Sequence, residues 1–151
     1  MIRWIRKYWK NIFLEHSPIK TISSDEKCSE SVAYGEELSR FVFSSKHIKK
    51  TERVVKAAAF LPNSDRKTSV FRKSRMLPEE YENKKIVIAE KRDLTIKAVA
   101  LINASIILNA NLQIEPEESE HKWHADIIGW PLDKDEQKSI AQVLAHSARI
   151  E

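Results

Sequence analysis

Apolar and basic positions repeat with the period of a helix at the start of the chain. Residues 1–14 read MIRWIRKYWKNIFL, and a turn of about 100° per residue gathers the isoleucines on one face and most of the cations on the other. We therefore predict a basic amphipathic helix over residues 1–16. Such a helix can lie on a membrane surface, dock on a protein or nucleic-acid partner, or pack on its own domain. The residues expected at this interface are Arg3, Trp4, Arg6, Lys7, Trp9, Lys10 and Phe13.

The pattern changes to mostly polar side chains in residues 17–31, which include a proline and offer almost nothing to bury. This composition predicts a linker. Cys28 lies in it and is expected to be an exposed, reduced and inert thiol, because no acid–base partner accompanies it. Residues 32–151 are then expected to form one domain of the α+β class, a small mixed sheet with packed helices.

Apolar spacing predicts the elements of the first half of this domain. Residues 32–43 (VAYGEELSRFVF) have near-helical spacing and predict a short helix. Two apolar runs on either side of the turn-forming NSDRK predict a β-hairpin over Val54–Arg72. Leu77 and Pro78, followed by two glutamates, are typical of a helix start.

The second half of the domain contains shorter and more ambiguous runs. Residues 86–93 (IVIAEKRD) predict a strand, whereas residues 95–102 fit either a strand or the start of a helix that continues through 103–111. Residues 123–130 (WHADIIGW) have the β-branched centre of a strand. The C-terminal helix is the best-defined element, since Asp133 can cap it and Glu136 follows three residues later. Its expected apolar stripe is Ile140, Val143, Leu144 and Ala148.

Composition excludes several classes of protein. At 151 residues, 42% hydrophobic and 32% charged, the chain has the size and balance of one folded domain. Two glycines are too few for a Gly-rich phosphate loop, and one cysteine forms neither an internal disulfide nor a cysteine-based zinc site. No apolar run reaches the length of about 18–20 residues that crosses a bilayer. We therefore expect no cofactor, no bound metal, and a cytoplasmic protein that is at most peripheral to a membrane.

Charge is segregated along the chain, although the total is only +4. Residues 1–76 hold 17 Lys and Arg against 8 Asp and Glu, and residues 77–151 hold 9 against 14. A basic half favours an anionic partner, but it can also pair with the acidic half on folding. Cations around the predicted hairpin are the candidates for contact with phosphates. These candidates are Lys56, Arg66, Lys67, Arg72, Lys73 and Arg75.

Two further groups of residues have chemical potential. His121, His124 and Asp126 combine imidazole and carboxylate groups, which serve as metal ligands or acid–base groups. Their spacing fits no established metal signature, so the alternative is a structural role for His124 at the start of a strand. Ser44, Ser69 and Ser74 lack a Gly-x-Ser-x-Gly motif. We therefore do not expect nucleophilic hydrolase chemistry from them.

Three segments carry a resemblance: Leu38-Ser39-Arg40-Phe41, the Ser69-Val70-Phe71-Arg72 strand, and the run HADIIGWPLDKDEQKSIAQVLA. In these segments the chain resembles a small bacterial family of uncharacterised function. The resemblance covers about residues 38–148. It implies an accessory protein found near mobile-element or phage-defence genes, and it assigns no catalytic residue.

The function expected from the sequence is therefore that of a non-enzymatic bacterial accessory protein. It would bind a nucleic acid or a protein partner in an antiphage or nucleic-acid-handling assembly, with no small-molecule substrate. One alternative is a metal-dependent enzyme that acts on a phosphodiester through His121, His124 and Asp126. Another is a peripheral membrane protein anchored by residues 1–14.

Overall fold

The computed structural model describes residues 30–151. The predicted amphipathic helix over residues 1–16, with its interface residues from Arg3 to Phe13, lies outside the described residues. Residues 17–29 of the predicted linker, including Cys28, lie outside them as well. No helix within residues 30–151 combines the length and the apolar character that a membrane crossing requires.

Residues 30–151 form eight strands and three α-helices, which confirms the α+β class. The strands are β1 (Glu37–Val42), β2 (Ile48–Lys49), β3 (Val54–Val55), β4 (Thr68–Phe71), β5 (Ala98–Asn103), β6 (Gln113–Pro116), β7 (His124–Ile128) and β8 (Arg149–Ile150). The helices are α1 (Pro78–Arg92), α2 (Ala104–Asn109) and α3 (Lys134–Ser147).

Six of the strands form one sheet in the order β6-β7-β4-β1-β5-β8, and every pairing in it is antiparallel. β2 and β3 form a separate two-stranded hairpin. The sheet is covered on both faces. One core joins it to residues of α2 and α3, including Ile107 and Leu144, and a second core joins it to Tyr81 and Ile88 of α1.

β1 corrects the prediction of a short helix over residues 32–43. Leu38 and Val42 belong to the core on the α2–α3 side, while Phe41 belongs to the core on the α1 side. A central strand that is buried on both faces has apolar side chains in both directions, and this weakens the alternation by which strands are recognised.

α1 corrects the prediction of a strand over residues 86–93. Its start follows the sequence prediction, because Pro78 occupies the first turn and the Glu80 side chain accepts a hydrogen bond from the Leu77 N–H at 3.0 Å. Within the apolar run only Ile88 is buried, whereas Ile86 and Val87 are exposed. Of the three β-branched residues in this run, one packs against the core and two face solvent, so the run does not mark a buried strand.

The predicted hairpin over Val54–Arg72 is also wrong. β3 pairs with β2, and β4 pairs with β1 and β7, so the two halves of the predicted hairpin belong to different sheets. The strand predicted within residues 123–130 and the C-terminal helix are both present as β7 and α3. In α3 the buried residues are Gln137, Ala141, Leu144 and Ala145, and the predicted core residue Val143 is exposed.

Candidate functional site

Strand register brings several polar side chains onto the face of the sheet that α1 covers. Ser69 of β4 lies directly opposite Asp126 of β7, and Phe71 lies opposite His124. Directly opposite residues of an antiparallel pair point to the same face, as do residues two apart on one strand. Ser69, His124 and Asp126 therefore share a face with Phe71, which belongs to the core beneath α1.

A cleft of about 380 Å³ lies on this face, between the apolar core beneath α1 and the polar side chains of β4 and β7. Phe71 and Ile88 form its apolar wall, and the last turn of α1 contributes Lys91 and Arg92. The opposite wall consists of polar residues from β4, β7 and the loop before β7. These are Ser69, Glu117, Glu120, His121, His124 and Asp126.

A short hydrogen bond joins the side chains of Ser69 and His124 in this cleft. The Oγ of Ser69 lies 2.6 Å from Nε2 of His124. On the other side of the ring, Nδ1 lies 2.7 Å from the backbone carbonyl oxygen of Glu117. A carbonyl oxygen can only accept, so Nδ1 must carry the proton and donate. On the neutral ring Nε2 is then the acceptor, and the Ser69 hydroxyl donates to it.

Two carboxylates stand on either side of the imidazole ring. Oε2 of Glu117 lies 3.4 Å from Nδ1, and Oδ1 of Asp126 lies 3.7 Å from Nε2. The second oxygen of Asp126 lies 3.4 Å from Nζ of Lys67. An imidazolium ion formed at His124 would therefore have negative charge close to both nitrogens.

The loop before β7 is itself fixed by backbone hydrogen bonds. The backbone N–H of Trp123 donates to the Glu118 carboxylate at 2.8 Å, and Trp123 has a left-handed φ of 67°. The backbone N–H of His124 donates to the carbonyl of His121 at 3.2 Å. The chain therefore enters β7 in a fixed turn that delivers His124 to the cleft.

Hydrogen bonds, burial and nearby charges lower the pKa values of three groups that line the cleft. The Ser119 hydroxyl is the main cause that lowers the pKa of Glu117. A hydrogen bond from Lys91, whose Nζ lies 2.7 Å from Oε2 of Glu120, lowers the pKa of that carboxylate. Burial, aided by two nearby lysines, lowers the pKa of His121. Glu117 and Glu120 are thus held in their charged forms, and His121 in its neutral form.

Ser69 is also held from the opposite face of the sheet. The guanidinium of Arg40 on β1 donates to the backbone carbonyl of Ser69 and to that of Ala59, both at 2.9 Å. Burial lowers the pKa of Arg40 to about 10, so the group remains charged at neutral pH. This contact fixes the backbone position from which the Ser69 hydroxyl reaches His124.

The three residues predicted as a possible metal site do not form one. His121, His124 and Asp126 all line the cleft. Nevertheless, residues 30–151 contain no group of three or more His, Cys, Asp or Glu side chains arranged to hold a metal ion. Nε2 of His124 is instead engaged by Ser69. The metal-dependent alternative therefore lacks its ligand set within this part of the chain.

Most of the cations predicted to contact an anionic partner pair with carboxylates instead. Arg72 is fully buried, which makes its prediction as a surface contact wrong, and its Nε donates to Oε1 of Glu36 at 2.6 Å. Lys73 pairs with Glu37 and Glu151. Arg75 pairs with Glu30 and Glu36, and Lys67 pairs with Asp126. The last two candidates, Lys56 and Arg66, are exposed and have no ion pair among the described residues.

Comparison with known proteins found no matching family model, no matching curated protein and no matching solved structure. The geometry of the cleft is therefore the basis for assigning a function. The sequence indicates His124 and Asp126 as candidates but not Ser69, which lacks a Gly-x-Ser-x-Gly motif and lies 55 residues from His124. One signal could have joined them: both belong to short β-forming runs with polar residues at alternate positions.

Proposed function

We propose that the cleft is a catalytic site in which Ser69 is the nucleophile and His124 the general base. The observation that carries this proposal is the 2.6 Å contact between Ser69 Oγ and His124 Nε2, combined with the 2.7 Å contact that places the proton on Nδ1. A nucleophile bonded to a base, which is itself oriented by a third group, is the arrangement that activates serine hydroxyls.

The reaction that fits this arrangement is transfer of an acyl or phosphoryl group. Nε2 of His124 takes the hydroxyl proton while Ser69 Oγ forms a bond to the carbonyl carbon or the phosphorus atom. The leaving group departs with the proton from Nε2. Water then attacks the covalent intermediate with the same base, and the Ser69 hydroxyl is regenerated.

Charged side chains in the cleft can stabilise the imidazolium ion and the negative oxygen atoms that form during this reaction. Asp126 and the Glu117 carboxylate lie near the nitrogens of His124 and stabilise the imidazolium form. Arg92 lines the same cleft and supplies positive charge for the oxygen atoms that become negative in the transition state. Lys91 also lines the cleft, where its charge is shared with Glu120. The site therefore has groups for both signs of developing charge.

Covalent labelling tests the proposal without knowledge of the natural substrate. A fluorophosphonate probe forms a stable bond to an activated serine oxygen and releases fluoride. The full chain should become labelled at Ser69, as located by peptide mass spectrometry. Ser69→Ala should abolish labelling, and His124→Gln should slow it by about 10²-fold or more, since general-base catalysis contributes about 10²–10⁴.

Two matched variants act as controls for this experiment. Ser74→Ala removes an exposed hydroxyl that hydrogen-bonds to the backbone of Glu37, and His47→Gln removes a histidine that does not line the cleft. Both should label like the wild-type protein. Absence of labelling in a folded wild-type protein, or equal labelling of other serines, would overturn the catalytic role.

The accessory function expected from composition and resemblance, with a nucleic-acid or protein partner, stays a prediction. Of the six cations predicted to contact the partner, Arg72 is buried, and Lys67, Lys73 and Arg75 are paired with carboxylates. Placement in the cytoplasm or at a membrane through residues 1–14 also stays a prediction.

A further inference from the structure

The β2–β3 hairpin concentrates exposed positive charge in a short segment. Residues 44–56 hold five lysines and arginines against one acid, Glu52. The five cations are all exposed: Lys46, Lys49, Lys50, Arg53 and Lys56. The rest of residues 30–151 is slightly acidic, with 15 Lys and Arg against 18 Asp and Glu. The described residues therefore have a net charge of only +1, whereas residues 44–56 alone have a net charge of +4.

The fold of the hairpin explains why these cations face solvent. Ile48 and Val55 are directly opposite each other and pack against the core on the α2–α3 side. This contact directs one side of the hairpin inward and leaves the turn at its end exposed. The backbone N–H of Lys56 donates to the carbonyl of His47 at 2.7 Å and continues the hairpin by one more pair.

Few of these cations are neutralised by carboxylates of the described residues. Lys49 makes one ion pair with Glu52 at 3.7 Å, and both side chains are exposed, so the pair is weak and easily exchanged. Lys46, Lys50 and Arg53 form no ion pair within residues 30–151. In contrast, Arg72 and Lys73, in the turn after β4, are held by Glu36 and Glu151.

We propose that this hairpin is a contact surface for the phosphate backbone of a nucleic acid. Exposed cations spaced along a β-hairpin match a repeating line of negative charges and need no base-specific geometry. The surface is distinct from the catalytic cleft, because the hairpin packs on the α2–α3 side of the sheet and the cleft opens on the α1 side. Its test is therefore independent of the proposed catalytic function.

Salt dependence of binding tests this proposal directly. Anisotropy of a short labelled DNA duplex is measured with the full chain between about 50 and 200 mM salt. The triple variant Lys49→Gln, Lys50→Gln and Arg53→Gln should bind more weakly by at least about tenfold at the lower salt. The slope of log affinity against log salt should fall by about 2–3, because each lost phosphate contact removes about 0.9.

A matched triple variant controls for total charge. Lys97→Gln, Lys134→Gln and Lys138→Gln removes three exposed cations that lie outside the hairpin. It should retain most of the wild-type affinity and slope, and both variants should melt within a few degrees of the wild-type protein. Equal losses in the two variants, or no measurable binding by the wild-type chain at low salt, would overturn the proposal.

Discussion

Arg72 and Glu36 form a buried ion pair that ties the first described residues of the chain to β4. Nε of Arg72 lies 2.6 Å from Oε1 of Glu36, and Nη2 of Arg72 lies 3.0 Å from Oε2. The same guanidinium donates to the backbone carbonyls of Glu30 at 2.7 Å and Ser31 at 3.3 Å. Removal of one partner of such a pair leaves an uncompensated charge in the interior.

Arg72→Met should therefore lower the free energy of unfolding by about 3–5 kcal/mol, because the buried Glu36 carboxylate would lose its two guanidinium hydrogen bonds and keep the more distant Arg75, at 3.7 Å, as its cationic partner. Urea denaturation of the two proteins measures the difference. Arg149→Met is the control, since it removes an exposed arginine that pairs with Glu37 at 2.8 Å. Its cost should not exceed about 1 kcal/mol. Similar losses in the two variants would contradict the importance of the buried pair.

The same pair predicts a pH dependence of stability. Burial alone would raise the pKa of Glu36, but hydrogen bonds from Arg72 and from the Ala33 N–H outweigh it and lower the pKa below 4.5. The folded protein thus keeps this group ionised at a lower pH than the unfolded chain does. The stability it contributes is present above about pH 4.5 and is lost as the pH falls through the folded-state value.

Glu36→Gln tests this sign. At pH 7 the wild-type protein should have a larger free energy of unfolding than the variant, and the difference should shrink as the pH is lowered from 7 to values below about 4.5. Urea denaturation across this range measures it. A difference that grows towards acid pH would show that the pKa of Glu36 is raised in the folded state.

Asp133 stabilises the start of α3. Its side chain accepts hydrogen bonds from the backbone N–H groups of Asp135 and Glu136 at 3.0 and 2.8 Å. Asp133→Ala should therefore cost about 1 kcal/mol in thermal or urea denaturation. Asp135→Ala, which removes an exposed first-turn acid without a capping bond, should cost about half of that or less. Equal costs would show that charge rather than capping is the main contribution.

The sequence predicts a helix or strand correctly where a few neighbouring residues contain the signal for it. The Asp133 cap, the Pro78 helix start and the β-branched centre of β7 are each encoded within a few residues, and each element is present. β1 was missed because its residues are buried on both faces. The strand predicted at residues 86–93 failed because a short apolar run fits a helix or a strand equally well.

The candidate site depends on long-range order that no short segment encodes. Ser69 meets His124 only because β7 pairs with β4, and this order follows from packing of the whole sheet. The pairing of Arg72 with Glu36 has the same origin. A count of charges indicates that the basic and acidic halves of the chain are able to pair with each other. It could not indicate which cations would be buried.

Nδ1 of His124 has two possible acceptors, the backbone carbonyl and the carboxylate of Glu117, and substitution of Glu117 tests which of them orients the ring. The backbone carbonyl of Glu117 lies at 2.7 Å, whereas its carboxylate lies at 3.4 Å. Glu117→Gln retains the carbonyl contact, so fluorophosphonate labelling of Ser69 should slow by less than about tenfold. His124→Gln should slow it by about 10²-fold or more. Equal losses would assign the orientation of the ring to the carboxylate.

The tautomer of His124 tests the central claim most directly, because only a ring protonated at Nδ1 can accept the Ser69 proton at Nε2. A long-range ¹H–¹⁵N correlation spectrum of the imidazole rings, assigned with His124→Gln, distinguishes the two nitrogens. For the neutral ring we predict a protonated Nδ1 and an unprotonated Nε2 whose resonance shifts in Ser69→Ala. A neutral ring with its proton on Nε2 would contradict the account, since His124 could not then act as the base for Ser69.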